Sequence, residues 1–249
     1  LVAVLLAVVE LTGPAVAERR DPTPWHAHHI AERYSLLTII ALGEGIVGTT
    51  AALSAVVEHG WTWQVALVGL AGTGLVFGMW WCYFTLPSAE ILHHFRNAKS
   101  FAWGYGHLVI FASVAATGAG LHVVAGYLEE AAAGRGRPGE QPAHHIGATG
   151  AVLAVVIPVA VYTAALYVIY TWLVGEFDRF HSWLLSGTVV LLVLPVLLAV
   201  GGAAIPACLL VLMLAPVVTI VGYETVGHAH QAEVITRVTG RGNGPRPDR

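Results

Sequence analysis

The residue best placed to do chemistry in this sequence is Glu44, a carboxylate inside a long apolar run. The run extends from about Ile30 to Val57, which is long enough to cross a membrane. A charged side chain at bilayer depth costs roughly 2.5–3.5 kcal/mol on insertion scales, so it needs a partner, a water-filled cavity or a proton. Arg33 shares its helical face but lies about 16 Å away along the axis. We therefore predict a protonatable or cation-contacting site at Glu44, with a structural hydrogen bond between helices as the alternative.

Two other ionisable residues lie at depths that overlap with that of Glu44. Glu10 falls about 10 Å from the cytoplasmic end of the first apolar run, and His107 stands about five residues into the fourth. Histidine titrates near neutrality and can relay protons. The sequence thus predicts Glu44, His107 and Glu10 as candidate residues of an ion or proton pathway, and Glu32 and Arg33 as its cytoplasmic mouth. For Glu32 and Arg33, interfacial anchoring is the alternative.

The composition places these residues in a membrane protein. Of 249 residues, 56% are hydrophobic and 11% are charged, whereas a soluble domain carries about 25% charged residues. This favours an all-α, polytopic transmembrane helical bundle in a lipid bilayer. The sequence has no basic patch with interleaved aromatic residues, so it does not indicate a nucleic-acid partner. Cys82 and Cys208 both lie in apolar runs and are interpreted as small core residues rather than a disulfide.

The apolar runs predict seven membrane spans within one bundle, residues 1–221. The tail, residues 222–249, is predicted to be cytoplasmic and largely disordered. Gly201 and Gly202 are the only residues between the last two spans, so these spans should form a tight hairpin. The predicted spans are approximately 1–17, 30–57, 63–86, 102–128, 146–174, 183–200 and 203–221.

Positive charges predict the orientation of these spans. Apart from Arg33, which lies in the second span, nine Lys and Arg residues fall on one side of the membrane and two on the other. An odd number of crossings with a cytoplasmic C-terminus satisfies this asymmetry. The nine are Arg19, Arg20, Arg96, Lys99, Arg179, Arg237, Arg241, Arg246 and Arg249, and the two are Arg135 and Arg137.

Signatures of enzymes and of bound cofactors are missing from the sequence. No phosphate-binding loop, His-Glu-x-x-His pair or Gly-x-Ser-x-Gly elbow occurs. Glu224 and His228 have a spacing that can bind metal on a helix, but one such pair without a third ligand does not predict a metal site. We expect a protein that is not an enzyme and that has no catalytic residues, cofactor or metal.

Four segments resemble motifs of the bacterial low-temperature-requirement A (LtrA) family of membrane proteins. The longest match is His-Ile-Ala-Glu-Arg-Tyr at 29–34, followed by Thr-Ile-Ile-Ala-Leu-Gly-Glu at 38–44. Shorter matches are Glu-Leu-Thr-Gly-Pro at 10–14, Trp-Trp-Cys-Tyr-Phe at 80–84 and Tyr-Gly-His-Leu at 105–108. The resemblance implies a multi-pass protein of the bacterial inner membrane, and it implies no particular reaction or substrate.

Two departures from the family pattern are visible. Thr85 stands where the family usually has Asp after its Trp-Trp-x-Tyr-Phe motif. The Phe-Phe-Asp-Leu-Val-Phe-type motif of the family's N-terminal part has no counterpart, so the chain is expected to be the C-terminal portion of a longer member or a shortened variant. Its expected partners besides lipid are a second copy of itself or such an N-terminal transmembrane portion.

Two functions fit these observations. The first is an ion channel or proton-coupled transporter that uses Glu44 as its intramembrane carboxylate. The second is a non-transporting membrane protein for cold adaptation or envelope assembly, in which the buried charges hold helices together. An intramembrane enzyme acting on a lipid-linked substrate is a weaker third hypothesis, supported only by histidine-rich loops.

Overall fold

The computed structural model describes residues 2–20, 26–57, 63–86, 92, 100–133, 146–174 and 179–227. These residues form seven α-helices followed by one turn of π-helix, Tyr223–Gly227. The helices are α1 Val2–Arg20, α2 Ala27–Val57, α3 Trp63–Phe84, α4 Ser100–Ala133, α5 Ala148–Val174, α6 Arg179–Val200 and α7 Ile205–Gly222.

The predicted all-α architecture is confirmed. Six of the described helices, α2 to α7, are long and apolar enough to cross a membrane. The helix α1 is 19 residues long and lies outside this set. It contains Glu10 and ends in the charged run Glu18, Arg19 and Arg20, which reduces its apolar length. The helix α4 extends to Ala133, beyond the span end predicted at 128. Most of the predicted tail lies outside the described residues.

The helices α2 and α3 are antiparallel neighbours. Near the middle of α2, the position of a Cβ on Gly45 would be 2.6 Å from Val76. One turn later, Thr49 fills the space above Gly72, where an added Cβ would be 2.7 Å from the Thr49 hydroxyl. The glycines therefore let the two helices approach closely, as small residues do in membrane bundles.

The helices α2 and α4 also pack against each other, but they run in the same direction. Tyr34, near the start of α2, lies over Gly104 near the start of α4. Gly48, further along α2, meets the backbone of Gly118, further along α4. The residue numbers at these contacts therefore rise together along both helices, and α3, which runs in the opposite direction, connects them in the sequence.

The remaining helices continue this alternation. The helix α5 is antiparallel to α4, since Gly106 meets Ile169 while Gly120 meets Ala154. The helix α7 runs parallel to α3 and packs against it along its length. As a result, the starts of α2, α4 and α6 and the ends of α3, α5 and α7 share one end of the bundle. We call this the lower end.

The predicted tight hairpin between the last two spans is confirmed. Gly202 has a φ of 81°, a left-handed conformation that glycine adopts without strain. The N–H of Ala203 donates to the carbonyl of Leu198 at 2.9 Å, and the N–H of Gly202 donates to that of Ala199 at 3.1 Å. This pair of bonds is a Schellman motif, which ends α6 and satisfies its last carbonyls.

The core consists mainly of apolar residues from α3, α4, α5 and α7, with a few from α2 and α6; among its members are Leu75, Met79, Ile110, Tyr162 and Leu212. Several buried threonines lie among them, and each donates its hydroxyl to the carbonyl four residues earlier in its own helix. Such bonds satisfy a hydroxyl without a partner from another helix. They are made by Thr38, Thr49, Thr117, Thr163 and Thr188.

Candidate functional site

Glu44 lies near the middle of the described span His28–Ala55, as predicted. Its side chain crosses the neighbouring helix α4 at Gly118, where an added Cβ would be 2.6 Å from the Glu44 Cγ. Gly118 therefore provides the space in which the stem of the carboxylate lies. Gly43, the residue before Glu44, has nothing within 4 Å of its Cβ position, so α2 is unpacked at Gly43 among the described residues.

The partner of Glu44 is His122, one helical turn after Gly118 on α4. The Glu44 Oε1 atom and the His122 Nε2 atom are 3.7 Å apart. The distance is within ion-pair range but longer than a hydrogen bond. The two side chains are 48% and 43% exposed, respectively. Both side chains of the pair are therefore accessible from outside the helix pair.

His107 is buried in a different environment, at the lower end of the bundle. Only 2% of it is exposed. Its Nδ1 is 2.8 Å from the carbonyl oxygen of Trp103, and its Nε2 is 3.0 Å from the hydroxyl of Tyr83. A carbonyl only accepts, so Nδ1 carries the hydrogen, and in the neutral imidazole the Tyr83 hydroxyl donates to Nε2. Both ring nitrogens are therefore satisfied inside the protein.

Four aromatic rings surround the His107 imidazole and fix its orientation. The ring centroids of Trp103 and Tyr34 are 4.0 and 4.9 Å from that of His107. Those of Phe111 and Tyr83 are each 5.7 Å away. These rings come from α2, α3 and α4, so the cluster joins three helices.

The structure does not bring Glu10, Glu44 and His107 together. His107 contacts Tyr34, whereas Glu44 lies ten residues further along α2, about 15 Å higher in the bundle. Glu10 is exposed on α1 and takes no part in the ion pairs of the described residues. The overlap of depths was therefore not enough to predict a cluster, because contact also depends on which helices are neighbours.

Glu32 and Arg33 are both exposed near the start of α2. The Glu32 Oε2 atom lies 4.0 Å from Nδ1 of His29, and these two side chains are 70% and 77% exposed. A pair so exposed contributes little stability. Glu32 and Arg33 lie at the lower end of the bundle, near the edge of the membrane-length part of α2.

Two partners were missed by the sequence reasoning, His122 and Tyr83. His122 is an ionisable residue inside an apolar span, which is the criterion that singled out Glu44, and applying it to α4 would have found this histidine. Tyr83 lies within the Trp-Trp-Cys-Tyr-Phe segment. Its position in that motif gives no indication that its hydroxyl bonds to His107.

The part of the chain that the structure describes holds no group of three His, Cys, Asp or Glu residues arranged for a metal ion. Of the pair with metal-binding spacing, Glu224 accepts a hydrogen bond from Nε1 of Trp81 at 3.0 Å. His228 lies outside the described residues.

Comparison with known proteins gives the family. The family model described as bacterial low temperature requirement A protein (LtrA) matches residues 1–216. This range includes α1 to α6, most of α7, and the residues Glu44, His107 and His122. No curated protein and no solved structure matches the chain. The resemblance of the sequence motifs is thus confirmed over most of the chain, which belongs to the bacterial low temperature requirement A (LtrA) family and is a multi-pass membrane protein.

Proposed function

We propose that this protein moves protons, or an ion coupled to protons, across the membrane, with Glu44 as the central carboxylate. The observation that carries the proposal is the Glu44–His122 pair, 3.7 Å between Oε1 and Nε2 near the middle of two neighbouring spans. A carboxylate and an imidazole differ in basicity and can exchange protons with each other or with water. This chemistry suits transport better than a bond-breaking reaction, so we propose no enzymatic role.

The energetic cost of the pair supports the same proposal. Each ionisable group at this depth is costly, and such groups in membrane proteins commonly mark ion or proton pathways. A purely structural pair gains most when it is sealed from its surroundings, whereas about half of each of these side chains is exposed.

The other predicted pathway residues take separate positions in this proposal. We propose that Glu32 and Arg33, exposed at the start of α2, shape the cytoplasmic mouth. His107 and Glu10 remain candidates at other levels of the path, without contact to Glu44. We also propose insertion in the bacterial inner membrane with the C-terminus in the cytoplasm, which makes the lower end the cytoplasmic one.

Proton and potassium flux in liposomes that carry the purified chain tests this proposal. We expect flux in the wild type and its loss in Glu44→Gln, because the amide cannot take up or release a proton. His122→Gln should reduce the flux as well. Glu129→Gln is the matched control, since Glu129 is exposed near the far end of α4, and its flux should equal that of the wild type.

The alternative function is non-transporting, in cold adaptation or envelope assembly. It is favoured by one observation, that the Glu44–His122 pair joins α2 to α4 and would hold the two helices together. On this view, Glu44→Gln lowers the thermal stability of the chain in detergent, and neither the wild type nor the variant conducts. Equal flux in the wild type and Glu44→Gln would contradict the transport proposal.

A second copy of the chain is the partner that we propose to pack beside the half-exposed pair. Ala115 and Ala119 are exposed next to it on α4, and such small residues allow close approach of a neighbouring membrane helix. A self-complementary dimer would bring Ala119 near its equivalent in the other copy. Oxidation of Ala119→Cys in membranes should therefore give a disulfide-linked dimer. Ala164→Cys, exposed on α5, should stay monomeric, and dimer yields that are equal for both variants would contradict this arrangement.

A further inference from the structure

The two atoms of the Glu44–His122 pair are too far apart for a hydrogen bond between a carboxylate and an imidazole. The Glu44 Oε1 and His122 Nε2 atoms are separated by 3.7 Å, whereas a charge-assisted hydrogen bond would bring them to about 2.7–2.9 Å. Among the described residues, neither side chain makes a hydrogen bond to another group. Both the carboxylate oxygens and the imidazole nitrogen therefore have lone pairs that are free to bind a ligand.

The same distance is close to the separation of two ligand atoms on one metal ion. In proteins, Zn²⁺ binds imidazole nitrogen and carboxylate oxygen at about 2.0–2.2 Å in tetrahedral geometry. Two ligand atoms at such a centre are about 3.3–3.6 Å from each other. The observed 3.7 Å is therefore about 0.1–0.4 Å from the spacing of a metal-bridged pair, but about 0.8–1.0 Å from that of a hydrogen-bonded one.

The two donor atoms indicate the class of metal ion. An imidazole nitrogen suits transition metals such as Zn²⁺ and Fe²⁺, whereas Mg²⁺ and Ca²⁺ take oxygen ligands. The described residues add no third His, Cys, Asp or Glu to this pair. Structural zinc sites have four protein ligands and catalytic ones three, so two ligands suit an ion that binds and leaves again. The sequence predicts no resident metal, and a transported ion is not one.

We propose that Glu44 and His122 together bind a divalent transition-metal ion, and that this ion is the cargo of the transport path. The inference rests on the proposed function and names its ion. Nearly half of each side chain is exposed, so the ion reaches the pair from outside α2 and α4, and water completes its coordination. Two protein ligands hold it weakly enough for release, which conduction requires. Protons and metal ions use the same lone pairs, so one site serves both.

Thermal denaturation of the purified full chain with Co²⁺ tests metal binding at the pair. The chain has 13 histidines, so total Co²⁺ uptake would include other sites, and the protein should carry no histidine tag. A metal ion that bridges α2 and α4 binds only the folded state, so Co²⁺ should raise the melting temperature by several degrees. Mg²⁺ at the same concentration should not. Equal shifts with the two ions, or no shift with Co²⁺, would overturn the proposal.

Variants that remove one ligand link the shift to the pair. Glu44→Gln and His122→Gln should each raise the Co²⁺ concentration for the half-maximal shift at least about tenfold, since even the loss of an outer-shell partner costs about 10–100-fold in metal affinity. His29→Gln is the matched control. His29 belongs to the exposed pair with Glu32, 4.0 Å apart, and its replacement should leave the shift unchanged. A full shift that persists in both Glu44→Gln and His122→Gln would overturn the proposal.

An added ligand tests the site while Glu44 and His122 both stay in place. Val47 is exposed about one turn after Glu44, and residues three apart are neighbours on a helix surface. Val47→His should therefore lower the Co²⁺ concentration for the half-maximal shift about tenfold. Ile46→His is the matched control, because Ile46 is exposed at nearly the same depth but does not face Glu44 from two residues away. Equal effects of the two substitutions would overturn the proposal.

Flux measurements separate this inference from the proposed function. In liposomes that contain a dye quenched by Co²⁺, the wild type should admit Co²⁺ and Glu44→Gln should not. Proton flux that depends on Glu44 in a chain that binds no Co²⁺ would overturn the metal inference and leave the proposed function standing. Co²⁺ binding at the pair in a chain that moves neither protons nor Co²⁺ would support the metal site and contradict its role in transport.

Discussion

Replacement of Gly48 by alanine should lower the melting temperature of the purified chain markedly. The added Cβ would collide with the backbone carbonyl of Gly118 and would be 2.9 Å from the Cβ of Leu121. A backbone atom cannot rotate away as a flexible side chain can, so α2 and α4 must separate. Overpacking of this kind costs about 1–3 kcal/mol and occasionally more, which outweighs the gain of about 1 kcal/mol that alanine brings to a helix over glycine.

Gly43→Ala is the matched control for this prediction. Gly43 belongs to the same helix, and its Cβ position has nothing within 4 Å. The substitution therefore gains the same helix propensity without a collision, and the melting temperature should stay equal or rise. Thermal denaturation of both variants in one detergent, followed by circular dichroism, makes the comparison. Equal melting temperatures for Gly48→Ala and Gly43→Ala would contradict the close approach of α2 and α4.

Truncation of Trp103 should produce the other large loss of stability. Trp103 is 1% exposed, and its ring lies 4.8 Å from that of Tyr34 and 4.0 Å from that of His107, measured between centroids. Trp103→Ala removes these contacts and leaves a cavity, a change that costs about 3–5 kcal/mol in protein cores. Unfolding in detergent at increasing temperature or denaturant measures it.

A milder substitution separates the ring from its polar atom. The Trp103 Nε1 atom is buried and has no hydrogen-bond partner among the described residues. Trp103→Phe removes this unsatisfied donor together with part of the ring, so its cost should be clearly smaller than that of Trp103→Ala. Trp183→Ala, at a residue that is 77% exposed, should change stability by less than about 0.5 kcal/mol. A loss at Trp183 as large as that at Trp103 would contradict the burial of Trp103 in the core.

The local features of the fold were predictable from the sequence, because they depend on local composition. Membrane-length apolar runs correspond to α2 to α7, and two consecutive glycines mark the turn between α6 and α7. The need of Glu44 for a partner from another helix also followed from sequence alone, since Arg33 is too distant along the same helix. Each of these conclusions depends on a single segment and its length.

The identity of that partner could not be predicted in the same way. Membrane helices that are apolar on all sides show little hydrophobic periodicity, so the sequence does not indicate how each helix is rotated or which helices are its neighbours. His107 and His122 both lie on α4, and the depth argument selected His107. The structure pairs Glu44 with His122 instead, because glycines at 48 and 118 set the level at which the two helices cross. The two ring nitrogens of His107 form hydrogen bonds with the Tyr83 hydroxyl and the backbone carbonyl of Trp103 instead.

The parallel packing of α2 and α4 has a consequence for the biogenesis of this chain. Glu44 and His122 are 78 residues apart (122 minus 44). At about 5–20 residues per second, the ribosome adds the histidine roughly 4–16 s after the carboxylate. During this interval α2 and α3 have left the ribosome, but His122, the partner of Glu44, has not yet been synthesised. The earliest insertion step therefore meets the energetic cost of an ionisable side chain at bilayer depth before His122 is present to reduce it.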